Sequence, residues 1–183
     1  MKRYHFACAL FLSALAVSGC SRLIYQGGAM PPAAEPGVRV LIAPFENVTK
    51  DEHAGRALEQ ITASALVSRG ARPYSAGDAG KSGTGTEADR ADGFSVLARE
   101  VGAELVLYGI VHEHRYKTDL DGDPAVGLTL RLVDPGTREM LWQGTGSDVG
   151  LLRASLTSVS QRIVKDLVSR MPLAAAPEPS PGI

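Results

Sequence analysis

The sequence has 183 residues, 44% of them hydrophobic and 21% charged, with a formal net charge of −1. That length and apolar content suit a single domain with a real core. So even a charge balance excludes a dedicated nucleic-acid binder or a protein held to anionic lipid by charge alone, and two cysteines exclude a disulfide framework.

The chain opens as an address. Lys2 and Arg3 precede an uncharged, mostly apolar run from Phe6 to Val17. The run is too short to span a bilayer and has the length of a secretory h-region. Val17-Ser18-Gly19-Cys20 follows, with small residues before a nucleophilic thiol that can take a diacylglycerol. Residues 1–19 are therefore expected to be a lipoprotein signal, cut before Cys20. Losing Lys2 and Arg3 takes the formal charge from −1 to −3. Cys8 leaves with the signal, so acylated Cys20 would be the only cysteine left, and no disulfide within one chain is possible.

Residues 20–37 hold Gly27-Gly28, Pro31-Pro32 and Pro36, and read as a lipidated tether. Extended, Ser21 to Gly37 would reach about 55–60 Å. One domain is expected over 38–172. Val38–Phe45 is a compact aliphatic run ended by Pro44, a buried strand. Asn47 and Thr49 offer capping oxygens, and Ala54, Leu58, Ile61 and Ala65 share a helical face that Gly70 closes. Ala71–Ser75 reads as a short edge strand. Ala76–Gly93 is rich in Gly, Asp and Thr and reads as a solvated loop. Its Gly80-Lys81-Ser82 lacks the upstream glycine of a P-loop, where Ser75 stands. Phe94, Leu97, Ala98 and Val101 predict a second helix, ended by Gly102.

Three apolar runs come next: Glu104–His114, Ala125–Val133 and Glu139–Thr145. Their joints, Tyr116–Pro124 and Asp134-Pro135-Gly136-Thr137, are too short for a crossover, so the strands must pair as an antiparallel meander. Val126, Leu128, Leu130 and Leu132 alternate with Thr129 and Arg131, the period of a sheet with one well-buried face. Leu156, Val159, Ile163, Leu167 and Met171 predict a last amphipathic helix, stopped by Pro172. Residues 173–183 read as a disordered tail. The class is α/β (α+β), a mixed sheet in the order βαβαβββα.

Several groups invite a chemical reading. His112 and His114 lie two apart on a strand and would share one face, but no third metal ligand is visible. Asp119, Asp121 and Asp123 resemble the start of an EF-hand loop, yet the sixth position is Pro124 and the twelfth Leu130 where calcium needs Gly and Glu. No nucleophile–base motif is present, so neither catalysis nor a cofactor is expected. The lone Trp142 is expected in the core.

The segments Val40–Asn47 (VLIAPFEN), Gly102–Gly109 (GAELVLYG), Leu130–Pro135 and Leu141-Trp142 resemble the periplasmic domain shared by CsgG, LpoB and PelC lipoproteins, a TolB-N/CsgG-like fold. The hairpin Tyr116–Leu128, the short chain and the brief tether are most similar to the PelC family. That resemblance implies a lipid-anchored ring under the outer membrane, helping a cationic polysaccharide such as Pel toward an export β-barrel. Asp119, Asp121 and Asp123 would then form its polymer-guiding acidic collar. PelC-like chains tend to carry a membrane-facing Trp before the last helix. Here Gly150-Leu151-Leu152-Arg153 stands there, leaving Leu151 and Leu152 for membrane contact. The alternative is an LpoB-like activator docking on a penicillin-binding protein.

Overall fold

The structure of the protein is a computed structural model, and it describes residues 22–26, 37–77, 87–117, 122–150 and 154–173. In chain order the elements are β1 (Arg22–Gln26), β2 (Arg39–Ile42), β3 (Glu46–Asn47), α1 (Ala54–Ser68), β4 (Arg72–Ser75), α2 (Glu87–Glu100), β5 (Leu105–Tyr116), β6 (Pro124–Val133), β7 (Met140–Val149) and α3 (Leu156–Ser169). Apart from β1 and the two-residue β3, this is the expected βαβαβββα.

All strands join one seven-stranded sheet, ordered β1-β7-β6-β5-β2-β4, with β3 beside β5. β5, β6 and β7 form the antiparallel meander. β2 runs parallel to both β5 and β4, so β4 is an edge strand as expected. The second joint is a tight turn in which the Asp134 carboxylate accepts from the backbone N–H groups of Gly136 and Thr137 at 2.7 and 2.8 Å. Asp side chains stabilise turns in this way.

The sheet is covered unevenly. On one face Val40, Ile42, Leu105, Leu107 and the alternating leucines of β6 pack with Trp142 against α1 and α3. On the other, Leu41, Ala43 and Val106 pack against Phe94 and Ala98 of α2. From Val40 to Ala43 the chain is buried on both sides, which is why those residues are an unbroken aliphatic run instead of an alternation. α3 starts at a Ser155–Ser158 capping box and buries Val159, Ile163, Val164, Leu167 and Val168.

Four expectations need correction. Arg22–Gln26, read as tether, is a sheet strand: Arg22 pairs with Ser147 and Gln26 with Gln143. The Leu23-Ile24-Tyr25 run favours a strand, and it pairs with an edge of β7 that would otherwise leave backbone groups unpaired. The buried run around Pro44 does not end there. The strand breaks at Ala43–Phe45 and resumes as β3, with Ala43 N and Val48 N donating to Leu107 O and Val111 O across the break. α2 begins at Glu87, inside the stretch read as loop, where Glu87, Ala88, Arg90 and Ala91 are good helix formers and the acidic residues suit a helix N-terminus. Leu173, placed in the tail, is buried, and its carbonyl accepts from Arg69 Nη2 at 2.6 Å. Arg69 also donates to Ser169 O at 2.6 Å, so one guanidinium from the end of α1 satisfies carbonyls at and beyond the end of α3.

Phe45 fills the space over Gly109, where a Cβ would lie 2.5 Å from the ring. Gly109→Ala should therefore cost about 1–3 kcal/mol from overpacking. Gly93→Ala, on a helix with nothing within 4 Å of the added methyl, should leave stability unchanged or raise it slightly. Paired thermal or urea unfolding of the two variants checks both signs.

Candidate functional site

The C-terminal ends of the parallel strands and of β5 and β7 gather at one end of the sheet. There lie the β3–α1 loop (48–53), the last residues of β5, the described part of the β5–β6 joint, and the start of α3. The local sequence explains its order. Asn47 Oδ1 accepts from Thr49 N and Oγ1, and Asn47 Nδ2 donates to Asp51 O at 2.6 Å. These Asn and Thr oxygens were expected as helix caps. They fold the loop instead, and α1 starts after His53 with no side-chain cap.

Asp51 then reaches two partners. Its Oδ1 accepts from His53 N at 3.0 Å, and its Oδ2 lies 2.7 Å from His114 Nδ1. The His53 N–H, then the His114 ring, hold the Asp51 carboxyl below the usual carboxylate range. His112 does not join them. The β5–β6 register slips between Val111 and Glu113, so His112 is the extra residue of a bulge. A one-residue slip turns every later side chain to the other face. His112 Nε2 therefore meets Thr129 Oγ1 at 2.8 Å on the face away from α1 and α3, and Thr129 continues to Thr145 at 2.9 Å. His114, paired with Val126, points to the α1 side. The expected shared face is thus overturned, and with it the metal pair. Among the described residues no group of three His, Cys, Asp or Glu could hold a metal.

The acidic hairpin is partly in view. Asp123 O accepts from Lys117 N at 2.8 Å, closing the joint, and Leu130, the would-be twelfth ligand, is fully buried in mid-strand. Cys20, Asp119, Asp121, Leu151, Leu152 and the Gly80–Ser82 stretch lie outside the described residues. Trp142 is in the core as expected, 1% exposed. Burial, then the charge of Asp92, pushes the Tyr108 phenol up to about 12, which leaves it no acid–base part near neutral pH. Sequence reasoning missed one charged contact: Asp148 is buried on β7 and takes Arg162 of α3 at 2.6 Å. An Asp among alternating strand residues gives no hint of such a partner. Among the described residues no helix is long and apolar enough to cross a membrane.

No family model matches the chain, and no curated protein does. Solved structures do. A single-residue variant of the PelC dodecamer from Paraburkholderia phytofirmans shares 31% identity over 85% of this chain and 99% of that one, with a TM-score of 0.69. This chain belongs to the PelC family. A second PelC dodecamer from the same organism matches at 30% identity, a TM-score of 0.68, and coverage of 86% and 99%. Lipoprotein GNA1162 from Neisseria meningitidis shares the fold at 23% identity and a TM-score of 0.57, over 73% of this chain and 96% of that one. The PelC likeness reaches almost the full length of those chains, so the fold and the family agree over the whole domain.

Asp51→Asn should cost about 1 kcal/mol near pH 7, the scale of a net hydrogen bond. A depressed carboxyl pKa stabilises above the unfolded value, 3.8 here, and the gain is lost as pH falls through the folded value below it. The stability gap between wild type and Asp51→Asn should therefore shrink below about pH 4 in urea melts. A gap that widens there would contradict the Asp51–His114 contact.

Proposed function

We propose that this PelC-family chain is a non-enzymatic lipoprotein of the outer membrane, acylated on Cys20, that forms a periplasmic ring and helps export an exopolysaccharide. The observation that carries the reading is the likeness to PelC dodecamers at about a third identity over nearly all of their length. A ring needs repeated heterologous contacts between two different surfaces of each copy. In such a ring the hairpin carboxylates Asp119, Asp121 and Asp123 of every copy would gather into an acidic collar that guides a cationic polymer toward an export β-barrel.

The tether weighs against the alternative, an LpoB-like activator docking on a penicillin-binding protein. An outer-membrane activator needs reach to dock on a peptidoglycan synthase. The tether read from the sequence is already short for that, and the pairing of Arg22–Gln26 with β7 shortens its reach further. Detergent-extracted protein should run at the mass of a dodecamer by light scattering. A strict monomer, with and without lipid, would sink the ring.

The collar has its own test. Changing Asp119, Asp121 and Asp123 together to Asn keeps turn-forming side chains and removes the charge. Folding and membrane fractionation should persist while polymer export drops severalfold. Polymer binding by the wild type should weaken as salt rises, because screening acts over about 8 Å at physiological ionic strength. Normal export by the triple variant would leave the aspartates as mere solubilisers of the hairpin.

A further inference from the structure

α3 packs with α1 along one side, and along the other it borders a groove against β7. The groove has a volume of about 370 Å³, and its lining includes Asp148, Arg162, Ile163, Lys165, Asp166 and Ser169. Ile163 is the buried apolar part of that lining, and the stems of Arg162 and Lys165 add carbon to it. The charges pair off, with one left over. Buried Asp148 takes Arg162 at 2.6 Å, and Asp166 takes Arg170 at 3.5 Å. Lys165 is exposed, and among the described residues it has no partner. The groove therefore offers an apolar wall and one free cation.

Residues 174–183 lie outside the described residues and follow directly on Leu173, which Arg69 holds at the end of α3. They read Ala-Ala-Ala-Pro-Glu-Pro-Ser-Pro-Gly-Ile, and Glu178 is their only charged side chain. Their reach is sufficient. Lys165 lies one helical turn back from Ser169, about 6 Å along the axis, and rounding the end of a helix takes about 10 Å more. The five residues from Leu173 to Glu178 cover about 16 Å as a polyproline II helix. Pro177, Pro179 and Pro181 favour that extended form before any contact is made, so docking orders little that was not already ordered.

We propose that residues 174–183 turn round the end of α3 and lie in the groove between α3 and β7, with Glu178 against Lys165. One free anion meets one free cation. An exposed ion pair by itself holds little. The alanines and prolines add contact by covering Ile163 and the stems of Arg162 and Lys165, while Glu178 sets the register. Docked there, the tail closes the flank of the domain beside β7 with its own chain, and that surface is not offered to another protein. The inference does not depend on acylation or on the ring.

The test is disulfide trapping in the full chain. Ala176, two residues before Glu178, falls about 6 Å short of it in the extended tail, level with Ser169. Ser68 ends α1 as Ser169 ends α3, both are exposed, and Arg69 ties both helix ends to Leu173. Ala176→Cys is combined with Ser169→Cys in one protein and with Ser68→Cys in another, and each is oxidised under mild conditions. A disulfide needs the two Cα atoms within about 7 Å. Peptide mapping reads these bridges separately from any that involve Cys20. The bridge 176–169 should form severalfold more than 176–68, at the mass of one chain. Lys165→Glu should remove that preference, and Glu178→Lys added to it should restore it, with thermal unfolding of the domain unchanged throughout. Equal yields at the two helix ends, no bridge to 169, or a preference indifferent to Lys165→Glu would overturn the proposal. A bridge found only at twice the chain mass would also overturn it, because the tail would then occupy the groove of a second copy.

Discussion

The backbone of β5 holds two kinds of sheet together. On one side it bonds β2 and β3 in parallel, and on the other it bonds β6 antiparallel. Among the described residues no other strand does both. A parallel partner demands a crossover that packs on a face, so α1 and α2 must cover the sheet where β2 and β4 lie. An antiparallel partner demands only a tight joint, so β6 and β7 follow without helices between them. The uneven cover of the sheet follows from that one strand. Gly109 lies at its middle and lets Phe45 cross close to the backbone, which joins the broken β2–β3 edge to the meander.

The same strand separates the chemistry at its end. Up to Val111 its side chains alternate in step with β6; after the bulge at His112 they are turned over. One histidine therefore joins a hydroxyl ladder on the sheet, and the other steadies the loop before α1. Neither arrangement assembles a nucleophile, a base and an electrophile around a shared point. The ion pair from buried Asp148 to Arg162 ties α3 to β7, and Arg69 ties the ends of α1 and α3. The polar groups of these contacts join elements of the fold.

The two ends of the sheet are unlike. At one, the incoming chain, the β5–β6 joint and the start of α3 lie together. At the other, the helices α1 and α3 finish, the β6–β7 turn folds on Asp134, and Arg69 holds Leu173 before the chain leaves. Beginning and end of the domain thus depart in opposite directions.

The sequence by itself determined the features that depend on local pattern. Alternation in β6 named its buried face, the Asp-Pro-Gly joint named its turn, and the spacing of Val159, Ile163 and Leu167 named the buried stripe of α3. Period and turn chemistry act over a few neighbours, so one sequence carries them. Only the tertiary structure decided the rest. Arg22–Gln26 has a strand-favouring Leu-Ile-Tyr run, but only the open edge of β7 gives so short a run a partner. His112 and His114 face apart because β6 accepts one residue fewer than β5 offers. Both outcomes are set by a backbone partner more than ten residues away along the chain, and no local spacing can announce what that partner will require.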